Sequence, residues 1–185
     1  MSNSLIIILV IIAVLVIFFI SVYNRLTRRR ILVKEGWSGI GTFLQQRNDV
    51  IPNLVETVKG YALHESTTLK EVVKLRNIAV NAGTPAEQMT ANNNVNKALG
   101  QFFALAEQYP DLKANTNFLS LQADLSELET KINQSRRYYN GTVRDYNQSV
   151  AVFPSNLVAG MFGFTAEPFF EEEAGSRVVP KVEFR

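Results

Sequence analysis

The apolar and polar positions divide the chain into three regimes. From Leu5 to Ile20 sixteen consecutive residues are apolar, and Ser21, Val22 and Tyr23 extend the run before Asn24 and Arg25. A bilayer core takes about 20 apolar residues as a helix, with tyrosine favoured at the interface. At roughly −0.3 to −0.6 kcal/mol per Ile, Leu, Val or Phe, insertion is favourable by about 5–10 kcal/mol. The run is rich in β-branched residues, but a lone strand would leave its backbone groups unpaired in lipid. The element predicted over 5–23 is therefore a transmembrane helix behind a short tail, 1–4.

From 24 to 153 the spacing changes to three and four residues and predicts a helical bundle. Val33, Trp37, Ile40, Leu44, Ile51, Leu54, Val58 and Tyr61 form one stripe, which Arg47 interrupts. It reads as one long helix or two in line. Pro52 either kinks it or begins a new helix, because proline removes an N–H and disfavours helical geometry at Ile51. A second helix is predicted over Ser66–Asn81, with Thr68 and Glu71 as a capping box and Asn81-Ala82-Gly83 as its end. A third opens at Thr84-Pro85-Ala86-Glu87, which places a hydroxyl at N-cap, proline at N1 and glutamate at N3. It runs to Tyr109, where Pro110 stops it, with Asn92-Asn93-Asn94 as a candidate interruption. In the last helix Phe118, Leu121, Leu125, Leu128, Ile132, Tyr139, Val143, Tyr146, Val150 and Phe153 recur at three or four residues. Asn115 or Thr116 caps it and Pro154 ends it. Its length of about 37 residues spans roughly 55 Å, the pattern of a bundle or coiled-coil seam.

Residues 154–185 form the third regime, an aromatic and extended C-terminal segment. Leu157, Val158, Met161, Phe162, Phe164, Phe169 and Phe170 have no evident amphipathic partner within it, and Val178–Phe184 is strand-like. The predicted fold class is all-α: an N-terminal transmembrane helix, a long coiled-coil-like helical bundle and a short extended tail.

Charge sharpens the first boundary. Arg25, Arg28, Arg29, Arg30 and Lys34 supply five positive charges before the first acid, Glu35, so a chain of net charge +2 carries −3 from Glu35 onward. That asymmetry argues against a nucleic-acid partner and makes Arg25, Arg28, Arg29 and Arg30 the basic flank of a membrane span. A cleaved signal peptide fits poorly. Residues Met1–Ser4 hold no Lys or Arg, the apolar run is too long, and arginines stand where small cleavage-site residues belong. The excess of positive charge after the span places the C-terminal domain in the cytoplasm, with the anchor in the bacterial inner (plasma) membrane.

Candidate chemistry is sparse. The chain has no cysteine and one histidine, His64, which excludes disulfides, thiolate chemistry and a multi-histidine zinc site. Gly36, Gly39 and Gly41 follow no strand and lack the order of a phosphate loop, so they read as small faces that let helices approach. The Glu171–Glu173 run reads as a solvated tail. No nucleophile–base pair, metal cluster or phosphate cradle stands out, so the sequence predicts no enzyme, no catalytic residue, no cofactor and no metal. Two other sets are singled out. Arg47, Asp49, Asn53 and Glu56 form a candidate structural polar cluster, because Arg47 lies on the apolar stripe and its burial needs a partner such as Asp49 or Glu56. Phe162, Phe164, Phe169 and Phe170 are candidate self-association residues, since contiguous exposed apolar area usually marks an interaction site.

Several ordered motifs carry a resemblance. They are Tyr23-Asn24-Arg25-Leu26, the run from Arg47 to Tyr61, Tyr109–Asn115 with Phe118-Leu119, Arg137–Asn140, Val143–Asn147, Phe153–Ala159 and Pro180–Phe184. Over nearly the whole chain the sequence resembles the LemA family. The resemblance implies a bacterial single-pass membrane protein with an antiparallel helical bundle outside the bilayer, and it brings no catalytic residue with it. Genes of that family often lie near those for membrane proteases or other envelope proteins. Two functions of different class follow. One is a non-enzymatic membrane-anchored scaffold that self-assembles as a homo-oligomer at the cell envelope. The other is a regulatory partner subunit of a membrane protease or other envelope protein.

Overall fold

The structure, a computed structural model, describes residues 3–61 and 66–170. Among these the fold is all-α, with six helices and no strand: α1 Asn3–Lys59, α2 Ser66–Asn81, α3 Pro85–Ala106, α4 Pro110–Lys113, α5 Thr116–Ala151 and α6 Ser155–Phe162. They make two compact units, one of residues 3–40 with 134–169, the other of residues 41–61 and 66–133 with Phe170.

Three boundaries differ from the sequence expectation, each for a local reason. The apolar span is the first part of a single helix, since nothing between Tyr23 and Lys34 breaks one, and Pro52 lies inside α1 without ending it. Pro52 has no N–H for the carbonyl four residues back, that of Asn48. The Arg76 Nε of α2 donates to that oxygen at 2.9 Å instead. The third helix runs through Asn92–Asn94 and ends at Ala106, short of Tyr109. Pro110 then opens the one-turn α4 rather than only stopping its predecessor. After Pro154 the expected extended segment begins as α6, closed by Gly163 at φ 70°, a left-handed position that suits glycine. The strand-like Val178–Phe184 lies outside the described residues.

The caps divide similarly. Thr84 and Glu87 form the expected capping box: the Glu87 N–H donates to Thr84 Oγ1 at 3.3 Å, and the Thr84 N–H to Glu87 Oε2 at 3.0 Å. Asn115 is the residue that caps α5, accepting from the Phe118 N–H at 3.0 Å. Thr68 and Glu71 are no capping box, because α2 already begins at Ser66 and Glu71 pairs with Lys74.

In the first unit the large apolar side chains from Leu5 to Ile17 lie 45–64% exposed. Burying each is worth about 1.5–3 kcal/mol, so this stretch calls for an apolar surrounding. Burial on α1 begins at Val22 and Leu26 and continues to Val33. The end of α5 supplies Tyr139, Val143 and Tyr146 to this core, and α6 supplies Val158 and Ala159. The two stretches run antiparallel. Trp37 packs on Tyr139 with ring centroids 5.4 Å apart, Arg29 reaches the carbonyl of Asp145 at 2.6 Å, and Tyr23 meets Phe162 at 4.9 Å.

In the second unit α1 residues 41–59, α2, α3, α4 and α5 residues 116–133 surround one core. Ile51, Leu54, Val55 and Val58 meet Leu69 and Val72 of α2, Val95, Leu99 and Phe102 of α3, Leu112 of α4, and Phe118 and Leu125 of α5.

Candidate functional site

The most buried charge in the second unit is Arg47, 1% exposed on the apolar stripe of α1. Its partners are not the neighbours the sequence offered. Nη1 lies 3.4 Å from Glu129 Oε2 of α5 and bonds Asn96 Oδ1 of α3, while Asn96 Nδ2 donates to Glu129 Oε1 at 3.2 Å. Asp49, two residues on, and Glu56, nine residues on, lie off the buried face of α1, whereas a core-facing guanidinium meets whatever the neighbouring helices bring. Asp49 instead accepts from Gln45 at 2.9 Å and lies 3.8 Å from Arg76, and Glu56 pairs with Lys59 at 2.7 Å. Asn53 is exposed and its carbonyl accepts from Thr57. The proposed four-residue cluster is therefore dispersed, and Arg47, Asn96 and Glu129 form the polar site. Asn48 and Asn92 join Arg47 in lining a cavity of about 100 Å³. Their side-chain oxygens are buried and accept no protein hydrogen bond.

The basic flank separates into two pairs. Arg25 and Arg28 are exposed. Arg29 donates to the Asp145 carbonyl and to Ser149 Oγ, and Arg30 lies 3.8 Å from Glu167. Glu167 is held in place by the Asn147 amide, which donates to its carbonyl and accepts from its N–H, both at 2.8 Å. Tyr139 closes the same region by donating to the Pro168 carbonyl at 2.8 Å. Burial raises the Tyr139 phenol above its usual range, with Glu167 adding to it; burial raises Tyr146 against the opposing pull of Arg30.

The four phenylalanines are not one free surface. Phe164 and Phe170 are buried, 8% and 2% exposed, so they are not available as unpartnered faces. Phe164 lies 5.6 Å from the Tyr23 ring, and Phe162 also meets that ring edge-on while staying 56% exposed. Phe169 is half-exposed. The aromatic segment folds back on the chain because Gly163 turns it under Tyr23. The larger apolar opening lies elsewhere, a groove of about 1210 Å³ on α1, α2 and α3 of the second unit. Val55, Leu69, Val73, Ile78 and Ala91 line it, with Lys59, Lys70 and Lys74 at its edge. Composition gave no signal for it, since each residue reads as an ordinary helix position.

Among the described residues no group of three or more His, Asp or Glu is placed to hold a metal. His64 and Glu171–Glu173 lie outside the described residues.

The model of the LemA family matches residues 36–184. The chain belongs to the LemA family. The match begins after the apolar span and covers most of both units. This LemA-family chain is 30% identical over 140 residues to protein LemA of Metamycoplasma hominis, an overlap of 74% of this chain and 63% of the relative. It is 24% identical over 162 residues to magnetosome protein MamQ 1 of Paramagnetospirillum magneticum, and 22% to magnetosome protein MamQ of Magnetospirillum gryphiswaldense, each over 74% of this chain and 60% of the relative. The chain thus spans about three fifths of the length of the curated relatives it matches.

Proposed function

We propose that this chain is a non-enzymatic, single-pass membrane-anchored helical scaffold that self-assembles at the bacterial cell envelope. Residues 5–23 sit in the inner membrane, and the following helices lie on the cytoplasmic side because the positive charge follows the span. The names of the LemA and magnetosome relatives describe no reaction, which supports the non-catalytic half of the reading.

The observation that carries assembly is the apolar groove of α1, α2 and α3. A groove of this kind receives the apolar face of an amphipathic helix, and its lysine edge favours an acidic flank on that helix. A second copy is the occupant proposed here: its α5 exposes Leu119, and further along the helix the acids Asp124 and Glu127 are exposed as well. Confinement to a membrane raises the local concentration of copies, so modest contacts suffice.

The test is the mass, by light scattering, of the full chain purified in mild detergent, against a Val73→Asp, Ile78→Asp variant. Both positions are over a third exposed, so the variant keeps its fold, as circular dichroism would verify. The expected result is an oligomeric parent and a monomeric variant. A monomeric parent, or an assembly that the variant leaves unchanged, refutes the reading. A monomeric chain that co-purifies in stoichiometric amount with a membrane protease would replace it with the regulatory-partner role.

A further inference from the structure

We infer that the tip of the α5–α6 hairpin is a second membrane-contact element, seated in the interfacial layer of the same bilayer that the α1 span crosses. The inference rests on the anchor reading above and adds to it, since nothing in a single apolar run requires a second point of entry.

Depth comes first. The antiparallel pairing of α1 with α5 fixes a register: Trp37 faces Tyr139, Arg29 faces Asp145 and Ser149, and Tyr23 faces Phe162 and Phe164. Each step down α1 toward the span is a step up α5 toward its end. The end of α5, the turn at Val152–Pro154 and α6 therefore lie at the level of Val22 and Tyr23, the last turn of the apolar run. Tyrosine at that place marks the headgroup boundary.

The chemistry of the tip matches that depth. From Tyr146 to Ala166, twenty-one residues, there is no charged side chain. Charges resume at both ends, Asp145 and Glu167, alongside Arg29 and Arg30. Within this run the inward residues Ser155, Val158 and Ala159 are buried, while large apolar residues face outward. Val152 is 45% exposed, Phe153 78%, Leu157 56%, Met161 69% and Phe162 56%. With large side chains covering about 150–250 Å² each, that is on the order of 500 Å² of bare apolar surface in one place. A patch above a few hundred Å² marks an interaction site.

The backbone of the tip is also prepared for a surrounding without water. Lipid offers no partner to a free N–H or C=O. Here the Val152 N–H donates to the Gln148 carbonyl at 3.0 Å, and the Asn156 N–H to the Val152 carbonyl at 2.9 Å. The buried Ser155 hydroxyl lies 2.7 Å from the Ser149 carbonyl, one that the end of α5 would leave without a helical partner. The Phe164 N–H closes α6 on the Ala159 carbonyl at 2.9 Å.

A second copy is the competing occupant of the patch. It is disfavoured because a protein partner rimming an apolar patch usually meets polar groups beyond it. Here the neighbouring surface on the span side is the bare apolar helix of residues 5–20.

The chain has no cysteine, so single-cysteine spin labels report cleanly on depth. Full-length Phe153→Cys, Met161→Cys, Val14→Cys and Arg144→Cys variants would be labelled in proteoliposomes and measured for collision with oxygen and with a water-soluble nickel chelate. All four side chains are exposed, so none disturbs a core. Phe153 and Met161 are expected to show an oxygen-to-nickel ratio several-fold above that of Arg144 and shifted toward Val14. Arg144 lies nine residues before Phe153, back along α5 from the tip, about 13 Å along the axis. If Phe153 and Met161 behave like Arg144 while Val14 reports lipid, the hairpin is aqueous and this inference falls with the anchor intact. If Val14 itself reports water, the anchor reading fails. Labels shielded from both reagents, with spin–spin broadening that fades on dilution in lipid, would assign the patch to a second copy and overturn the proposal.

Discussion

Pro52 inside α1 frees the carbonyl of Asn48, and Arg76 of α2 takes it; this pairing makes a quantitative prediction. Asn48 is 4% exposed, so its carbonyl has little access to water once Arg76 is removed. A hydrogen bond from a charged donor contributes about 1.5–3 kcal/mol, and an unsatisfied buried acceptor costs about 1–3 kcal/mol. The Arg76 side chain is 24% exposed, which screens part of this, and its 3.8 Å pair with the exposed Asp49 adds little. Arg76→Met keeps the aliphatic stem and should cost about 1–2 kcal/mol. Alanine in place of Pro52 restores the missing N–H, so in a Pro52→Ala background the same change should cost under about 0.5 kcal/mol, since the carbonyl no longer depends on Arg76. At about 2–4 °C per kcal/mol for a chain of this size, Arg76→Met should lower Tm by about 2–8 °C in the parent and by less than about 2 °C in the Pro52→Ala background. Thermal melts of the full chain in one mild detergent, followed by circular dichroism, close the cycle. An equal loss in both backgrounds would refute the orphan-carbonyl argument and leave Arg76 an ordinary surface pair.

Two further predictions use the glycines and the titrating groups. A Cβ at Gly36 would sit 3.3 Å from the Tyr139 Cα, whereas Gly39 and Gly41 have open space, so Gly39→Ala should raise stability by about 0.5–1 kcal/mol and Gly36→Ala should gain less or lose; paired melts that rank Gly36→Ala highest would contradict the close approach. Hydrogen bonds from the Thr84 and Gly83 backbone hold the Glu87 carboxyl below the usual carboxylate range. Its contribution is therefore complete above its unfolded-state value and lost as pH falls through the lower folded one. Tyr139 and Tyr146 are raised, so theirs is complete below about pH 10, the usual phenol value, and lost as pH climbs past it. Melts from about pH 3 to 11 should show both edges, and Glu87→Gln should flatten the acid one alone.

The stripe on α1 and α5 was legible because helical spacing reports burial directly. Val33, Ile40, Leu44, Ile51, Leu54 and Val58 are all buried, as are Phe118, Leu125, Leu128, Ile132, Tyr139, Val143 and Tyr146. It fails at the ends: Tyr61 is 40% exposed and Phe153 78%, since periodicity continues for a residue or two after the packing partner has run out. Caps within a few residues of their targets, Thr84 with Glu87 and Asn115 with Phe118, were readable for the same local reason. Partners distant in sequence were not. Arg47 meets a carboxylate 82 residues away, and spacing along one helix says nothing about which residue another helix presents. The free carbonyl of Asn48 could have been found, because a proline inside a helical stripe announces one four residues earlier, but not that Arg76 would meet it. The α6 helix was hidden by its apolar composition, which is helical on one side and bare on the other.

The arginine run shows how a sequence reading by charge can be too coarse. Four cations after an apolar run are a topology signal whatever each side chain does next. The fold then gives them separate tasks. Arg29 ties α1 to the last turns of α5, and Arg30 faces Glu167, whose backbone Asn147 already grips. Arg25 and Arg28 are exposed, and so is Arg30 despite its contact with Glu167; exposed cations after a span attract anionic headgroups. Because Arg29 contacts the end of α5 and Arg30 faces Glu167, the seating proposed above for Phe153 and Met161 would depend on both. Loss of Arg29 or Arg30 should therefore act on the hairpin, whereas loss of Arg25 or Arg28 should act on attraction to anionic lipid, and a charge count along the sequence cannot tell the two apart.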